Sequence, residues 1–208
     1  MKILGLSDLE VPIIYNPNIK KRFNDVDLVV SCGDLPPTYL EFVISMLDLP
    51  LYFVHGNHVP KFVDDEGNIH TEPQGAINLH KNVFYDEKND LILAGIEGSL
   101  TYNFKPYQYS QQRMWNMVYS LVPRLMKNKI TYGRYLDVFV THAAATGLHD
   151  DTDPAHQGVD AFRWLIDTFE PKLHLHGHMH AYNPLIPRET QYKQTRVINT
   201  FGYREITI

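Results

Sequence analysis

The sequence is poor in cysteine, in basic tracts and in long apolar runs, and each shortage excludes something. Cys32 is the single cysteine among 208 residues, so no disulfide can form within the chain, and secretion gains no support. No apolar run reaches the roughly 18 residues that a membrane-spanning helix needs. Met1 and Lys2 lead to Asp8 through an apolar stretch too short for a signal peptide. The expected compartment is therefore the cytoplasm, with no membrane partner. Lys and Arg number 19 against 24 Asp and Glu, a formal charge of −5. A nucleic-acid binder usually carries a basic face, so the charge balance weighs against that partner. The sequence also shows no internal repeat or linker, and its length suits one domain over 1–208.

What the sequence does have is short apolar runs alternating with amphipathic stretches, the pattern of an α/β protein. Strands are predicted at Ile3–Leu6, Leu28–Cys32, Leu51–Val54, Leu91–Ala94, Val138–Val140 and Leu173–Leu175. A closing pair is predicted at Arg196–Asn199 and Tyr203–Ile206, with Gly202 at the turn. Apolar stripes predict three helices: Tyr39, Phe42, Val43, Met46 and Leu47; Met114 through Leu125, with Pro123 kinking its end; and Val159, Phe162, Ile166 and Phe169. Residues 60–82 read as a loop, or a short helix plus loop, and 143–157 as a second loop.

Histidine is abundant, with 11 residues, four of them at 174, 176, 178 and 180. Polar side chains also cluster where α/β proteins place their working groups, just beyond strand carboxyl ends. Asp8 and Glu10 follow the first strand, Gly33-Asp34 the second, and Gly56-Asn57-His58 the third. His142 and then Gly177-His178-Met179-His180 follow two later strands. Carboxylates and imidazoles on one edge need positive charge among them, and divalent cations supply it. Oxygen donors mixed with imidazole suit first-row metals such as Mn, Fe and Zn. Gly33, Gly56 and Gly177 each precede a candidate ligand, where a missing Cβ permits a sharp turn and close approach. Each fragment alone also reads as a cap, a turn or a packed imidazole; their joint order is the informative feature.

These blocks, spanning residues 7 to 180, resemble the calcineurin-like metallophosphoesterase superfamily. That family shows Asp-x-His, Gly-Asp, Gly-Asn-His, a lone His and Gly-His-x-His. The resemblance implies a two-sheet β-sandwich flanked by helices, four layers in αββα order. It implies two divalent ions. Asp8, Asp34, His180 and the residue two past Asp8 would hold the first; Asp34, Asn57, His142 and His178 would hold the second, with Asp34 bridging. His58 would stand at the substrate phosphate as the catalytic residue. The sequence departs from the pattern at Glu10, where the family has His. A ligating Glu10 adds negative charge and hardens the site toward Mn or Fe, with Mg and Zn as the other candidates; otherwise Glu10 points away and the first ion binds weakly.

The implied activity is hydrolysis of a small phosphodiester or phosphomonoester by a hydroxide held between ions roughly 3.5–4 Å apart, with His58 protonating the leaving oxygen. The alternatives are a non-catalytic metal-binding scaffold on the same fold, and a nuclease. His156, in the loop 149–156, is the candidate substrate contact, against the reading of that loop as solvated. His174, His176 and His55 read as packing residues or supports for ligand imidazoles, and Cys32 as a small core residue. Loops 60–82, 98–113 and 143–157 would set specificity; the substrate's identity and the oligomeric state stay open.

Overall fold

A computed structural model describes residues 1–58, 60–63, 66–182 and 187–208. Its strands are β1 (Lys2–Ser7), β2 (Leu28–Ser31), β3 (Leu51–Phe53), β4 (Phe62–Val63), β5 (Ile69–His70), β6 (Ile77–Asn78), β7 (Asn82–Asp86) and β8 (Leu91–Ile96). They continue with β9 (Ser99–Leu100), β10 (Gln108–Tyr109), β11 (Val138–Thr141), β12 (Leu173–His176), β13 (Glu189–Tyr192), β14 (Thr195–Asn199) and β15 (Gly202–Thr207). The helices are α1 (Ile19–Arg22), α2 (Pro37–Leu47), α3 (Gln111–Tyr132) and α4 (Asp160–Phe169).

Two mixed sheets face each other. One has the order β15-β1-β2-β3-β6, the other β13-β14-β12-β11-β8-β7. Strands buried on both faces read as unbroken apolar runs, because successive side chains enter different cores. Ile3, Leu28 and Val30 of the first sheet meet Leu93, Val138 and Leu175 of the second in the middle layer. Leu4, Val29 and Leu51 face outward onto Ile19, Tyr39 and Val43 of α1 and α2. Ile92, Ala94 and Phe139 face outward onto Met114, Leu121, Phe162 and Ile166 of α3 and α4. The result is the expected αββα order.

The central strands β1, β2 and β3 run parallel, as do β8, β11, β12 and β14, so their carboxyl ends collect at sheet edges. Hydrogen bonds join the two edges: Gly98 N–H, after β8, donates to His55 O, after β3, and the Thr200 hydroxyl, after β14, donates to Ser7 Oγ of β1.

Several sequence expectations need correction. β14 and β15 do not pair with each other. β14 lies between β12 and β13, while β15 crosses to the other sheet and pairs antiparallel with β1. Gly202, at φ +70°, sits where the chain crosses. Pro123 does not end its helix: α3 runs on to Tyr132, because the proline lies on the exposed side, where water can serve the carbonyl that loses its donor. No helix forms in the described part of 60–82, which holds the β4–β5 hairpin and β6 instead. Of the four clustered histidines, only His174 and His176 lie in a strand. β12 ends at His176, and His178 turns the chain away at φ 65°.

Candidate metal centre

The joined sheet edges bring Asp8 and Asp34 from one sheet against His142 from the other. One ligand atom from each lies within 4.8 Å of the other two. All three side chains are shielded, with Asp8 at 1%, Asp34 at 8% and His142 at 0% exposure. Among the described residues no Lys or Arg pairs with either carboxylate; His142 Nε2 lies 3.4 Å from Asp34, and half-exposed His180 Nε2 lies 3.9 Å from Asp8. Two buried carboxylates served by imidazoles alone are short of positive charge. Oxygen and imidazole donors at this spacing fit a divalent ion.

The backbone is bent to make this cluster. Asp8, Asp34 and His178 all sit in the left-handed region, at φ 62°, 58° and 65°. Such positions cost about 1–2 kcal/mol each for residues with a Cβ and gather at functional sites. The chain must also come close behind the carboxylates. A Cβ on Gly56 would overlap Asp34 Oδ1 and stand 2.5 Å from its Cγ. Gly33, at φ +99°, lies against the Gly56 backbone.

The electrostatics follow the charges. Burial pushes the Asp34 carboxyl up, but the charge and hydrogen bond of His142, with the His58 N–H, outweigh it and hold Asp34 at about 2. Burial raises Asp8 above the ordinary carboxylate range, against the pull of His142 and the Ser7 hydroxyl. Burial would lower His142, yet the charge and hydrogen bond of Asp34, then Asp8, raise it to about 9. His178 is pushed down to about 3 by burial, with the charge of His142 adding to the effect.

Hydrogen bonds fix the orientation of the surrounding donors. His142 Nδ1–H donates to Cys32 O at 2.8 Å, directing Nε2 at Asn57 Oδ1 (2.8 Å) and Asp34. The His178 backbone N–H donates to both Asp8 oxygens at 3.1 Å, while its Nε2–H donates to Ala155 O at 2.6 Å. The His58 N–H donates to Asp34 Oδ1 at 2.8 Å, so its imidazole starts from the rim of the cluster.

Asn57, His58, His178 and His180 thus join the edge of the trio. Glu10 does not: it is exposed and lies outside the close cluster. His156 lies in the loop that caps His178. Its ring stands 5.1 Å from that of His178, and its Nδ1 pairs with Asp153 at 2.8 Å. His149 turns elsewhere, bonding His176 and Thr190. His174 bonds Thr141 rather than a candidate ligand, and buried His55 packs edge-on against Phe53.

Two contributors escaped the sequence reading. The carbonyl of Cys32 sets the His142 ring, a role that belongs to the backbone and carries no residue signature. Tyr102 is the other. Its hydroxyl accepts from Asn57 Nδ2 at 2.9 Å and meets His58 Nε2 at 3.1 Å. The hydroxyl thus ties Asn57 and the His58 ring together and fixes where that ring stands.

Comparisons with known proteins bear on the fold and the family. A crystal structure of TT1561 from Thermus thermophilus is similar with a TM-score of 0.60 at 15% identity, covering 97% of this chain and 89% of that one. Another, described as GAP50, the anchor in the inner membrane complex of Plasmodium, is similar with a TM-score of 0.50 at 17% identity, covering 96% and 70%. At these identities the likeness concerns the fold. No curated protein matches the sequence. The calcineurin-like phosphoesterase family profile, by contrast, matches residues 1–182, the stretch that carries every candidate ligand from Asp8 to His180. With that match added to the αββα sandwich and the buried Asp8–Asp34–His142 group, the chain belongs to the calcineurin-like phosphoesterases, a family of metal-dependent phosphoester hydrolases.

Proposed function

We propose that the protein hydrolyses a small phosphodiester or phosphomonoester with the help of two divalent ions. Asp8, Glu10, Asp34 and His180 would hold one, and Asp34, Asn57, His142 and His178 the other. The observation that carries this reading is the buried Asp8–Asp34–His142 trio, short of positive charge at the joined sheet edges. An oxygen-rich set of this kind favours Mn or Fe. When bound, such ions lower the pKa of water toward neutrality and place positive charge against the phosphoryl oxygens.

The chain's own residues do the rest. Asp34 and Asp8 hold negative charge in place. The Cys32 carbonyl keeps the His142 proton on Nδ1 and frees Nε2 for coordination. Tyr102 holds the His58 ring in place, and His58 would pass a proton to the leaving oxygen. His156, beside His178 at the rim, is placed to touch the substrate.

The test is turnover of bis(p-nitrophenyl) phosphate and p-nitrophenyl phosphate by stripped protein reloaded with Mn²⁺. We expect hydrolysis that EDTA abolishes, and a loss of at least 10²-fold in Asp34→Asn, of the size seen when electrostatic groups at a reacting centre are removed. An unaffected Asp34→Asn would remove the reading. A binding scaffold is the second reading, favoured by one observation: Glu10 stands exposed outside the cluster. Two metal equivalents without turnover of any phosphoester would establish it.

A further inference from the structure

A cleft of about 650 Å³ opens directly beside His58. Its walls include Lys61, Ile69, Lys105, Pro106 and Tyr107. The size is that of a small-molecule site. Its charge is opposite to that of the protein: the chain carries −5 overall, yet two lysines and no carboxylate line this cleft among the described residues. Neither ammonium has an ion-pair partner among those residues. The lysines come from separate segments, one before the β4–β5 hairpin and one in the 101–107 loop. Two lysines on the wall of one cleft, without ion-pair partners among the described residues, make it a place for an anion.

Ile69, Pro106 and Tyr107 give the rest of the wall an apolar stretch, which it shares with Asn57 and Thr71. The ring of Tyr107 leans on His55, with centroids 5.2 Å apart, beside Pro106 and Ile69. Tyr107 holds this position in a left-handed backbone at φ 60°, a conformation rare for a bulky residue. The Ser99 N–H donates to its carbonyl at 3.1 Å and pins it there. Strain of that kind collects at ligand clamps.

We infer that this cleft receives the leaving half of the substrate, and that Lys61 and Lys105 select a leaving group with an anionic charge of its own on a flat apolar body, the chemistry of a nucleoside monophosphate. The inference rests on the proposed role of His58, which lies on the same cleft wall. Hydrolysis of a phosphoanhydride then balances simply. The oxygen of water forms a bond to the terminal phosphorus, and the bridging P–O bond breaks with its electrons going to the bridging oxygen. That oxygen takes a proton from His58, which the water's proton replaces.

The experiment compares wild type, Lys61→Gln, Lys105→Gln, the double variant and Lys105→Arg, each loaded with Mn²⁺. One readout is the ratio of kcat/KM for ADP to that for bis(p-nitrophenyl) phosphate, whose leaving group carries no charge beyond the reacting oxygen. The other is AMP binding by calorimetry. The ratio is expected to fall about tenfold in each single variant and about a hundredfold in the double, the scale of lost charge-assisted hydrogen bonds. AMP affinity should fall in parallel, and Lys105→Arg should retain most of both. AMP affinity equal within twofold in wild type and double variant, or no AMP binding by wild type, would overturn the inference even if bis(p-nitrophenyl) phosphate is hydrolysed. AMP binding that depends on the lysines, in a protein that hydrolyses neither substrate, would uphold the cleft and remove the hydrolase reading.

Discussion

Substituting Gly56 by alanine adds one methyl group, and the structure says where it would go. Its Cβ would stand 2.5 Å from Asp34 Cγ and 2.8 Å from the Asp34 backbone nitrogen, besides overlapping Oδ1. Carbon atoms in ordinary contact sit about 3.5–4.0 Å apart, so the carboxyl carbon must retreat by roughly 1 Å. Retreat breaks the 2.8 Å bond from the His58 N–H and widens the 3.4 Å approach of His142. A misplacement of about 1 Å at a reacting centre costs on the order of 10²-fold in rate. Overpacking should cost about 1–3 kcal/mol in stability, a few degrees of Tm per kcal/mol for a chain of this size. Gly56→Ala should therefore stay folded, bind Mn²⁺ at least tenfold more weakly by calorimetry, and lose about 10²-fold in phosphoester turnover. Gly133→Ala is the control. It caps α3 at φ +75° with nothing within 4 Å of the added Cβ, so it should lose comparable stability and keep metal affinity and rate. If Gly56→Ala matches wild type within threefold in both measurements, Asp34 is not the pivot of the site.

Three further outcomes are expected. His58→Ala should lower kcat by about 10²–10⁴-fold while metal content by elemental analysis is unchanged, since the hydrogen bond that His58 gives Asp34 comes from its backbone and survives the substitution. Tyr102→Phe removes the hydroxyl that orients both His58 and Asn57; it should lower kcat about tenfold and displace the limb of the pH–rate profile that reports the general acid, whereas a purely structural residue would leave the profile's shape alone. The third concerns pH. His142 in the metal-free fold is raised to about 9 from a usual value near 6.5, so its contribution is fully present below about pH 6.5 and lost as pH rises through 9. The stripped protein should lose up to roughly 3 kcal/mol over that window in denaturant titrations. Because coordination needs the neutral ring, Mn²⁺ affinity should rise over the same window by up to tenfold per unit, and a flat profile would mean that His142 does not coordinate.

Much of this is legible in the sequence because parallel strands export their following residues to one edge. Asp8, Asp34, Asn57, His142 and His178 each come directly after a buried apolar run, or one to three residues beyond it, and those runs are the central strands. Inner strands announce themselves because both their faces are covered. The edge strand β13 (Glu-Thr-Gln-Tyr) has exposed positions and carries no apolar signal. The crossing of β14 and β15 to different sheets could not be read either, since pairing partners are long-range choices that Gly202 permits but does not dictate. Tyr102 lies in an aromatic-rich loop where stacking and packing look the same in one dimension. Glu10 sits at the spacing of a ligand, but two residues past a left-handed Asp8 the chain can face several ways.

The hydrogen bonds from His178 to Asp8 join residues 170 positions apart. A ribosome adding about 5–20 residues each second needs roughly 10–30 s to cover that span. Until residues 142 and 178 are made, the emerging polypeptide displays Asp8 and Asp34 without the imidazoles that face them in the fold. Assembly of the proposed metal centre is consequently an event for the nearly finished chain.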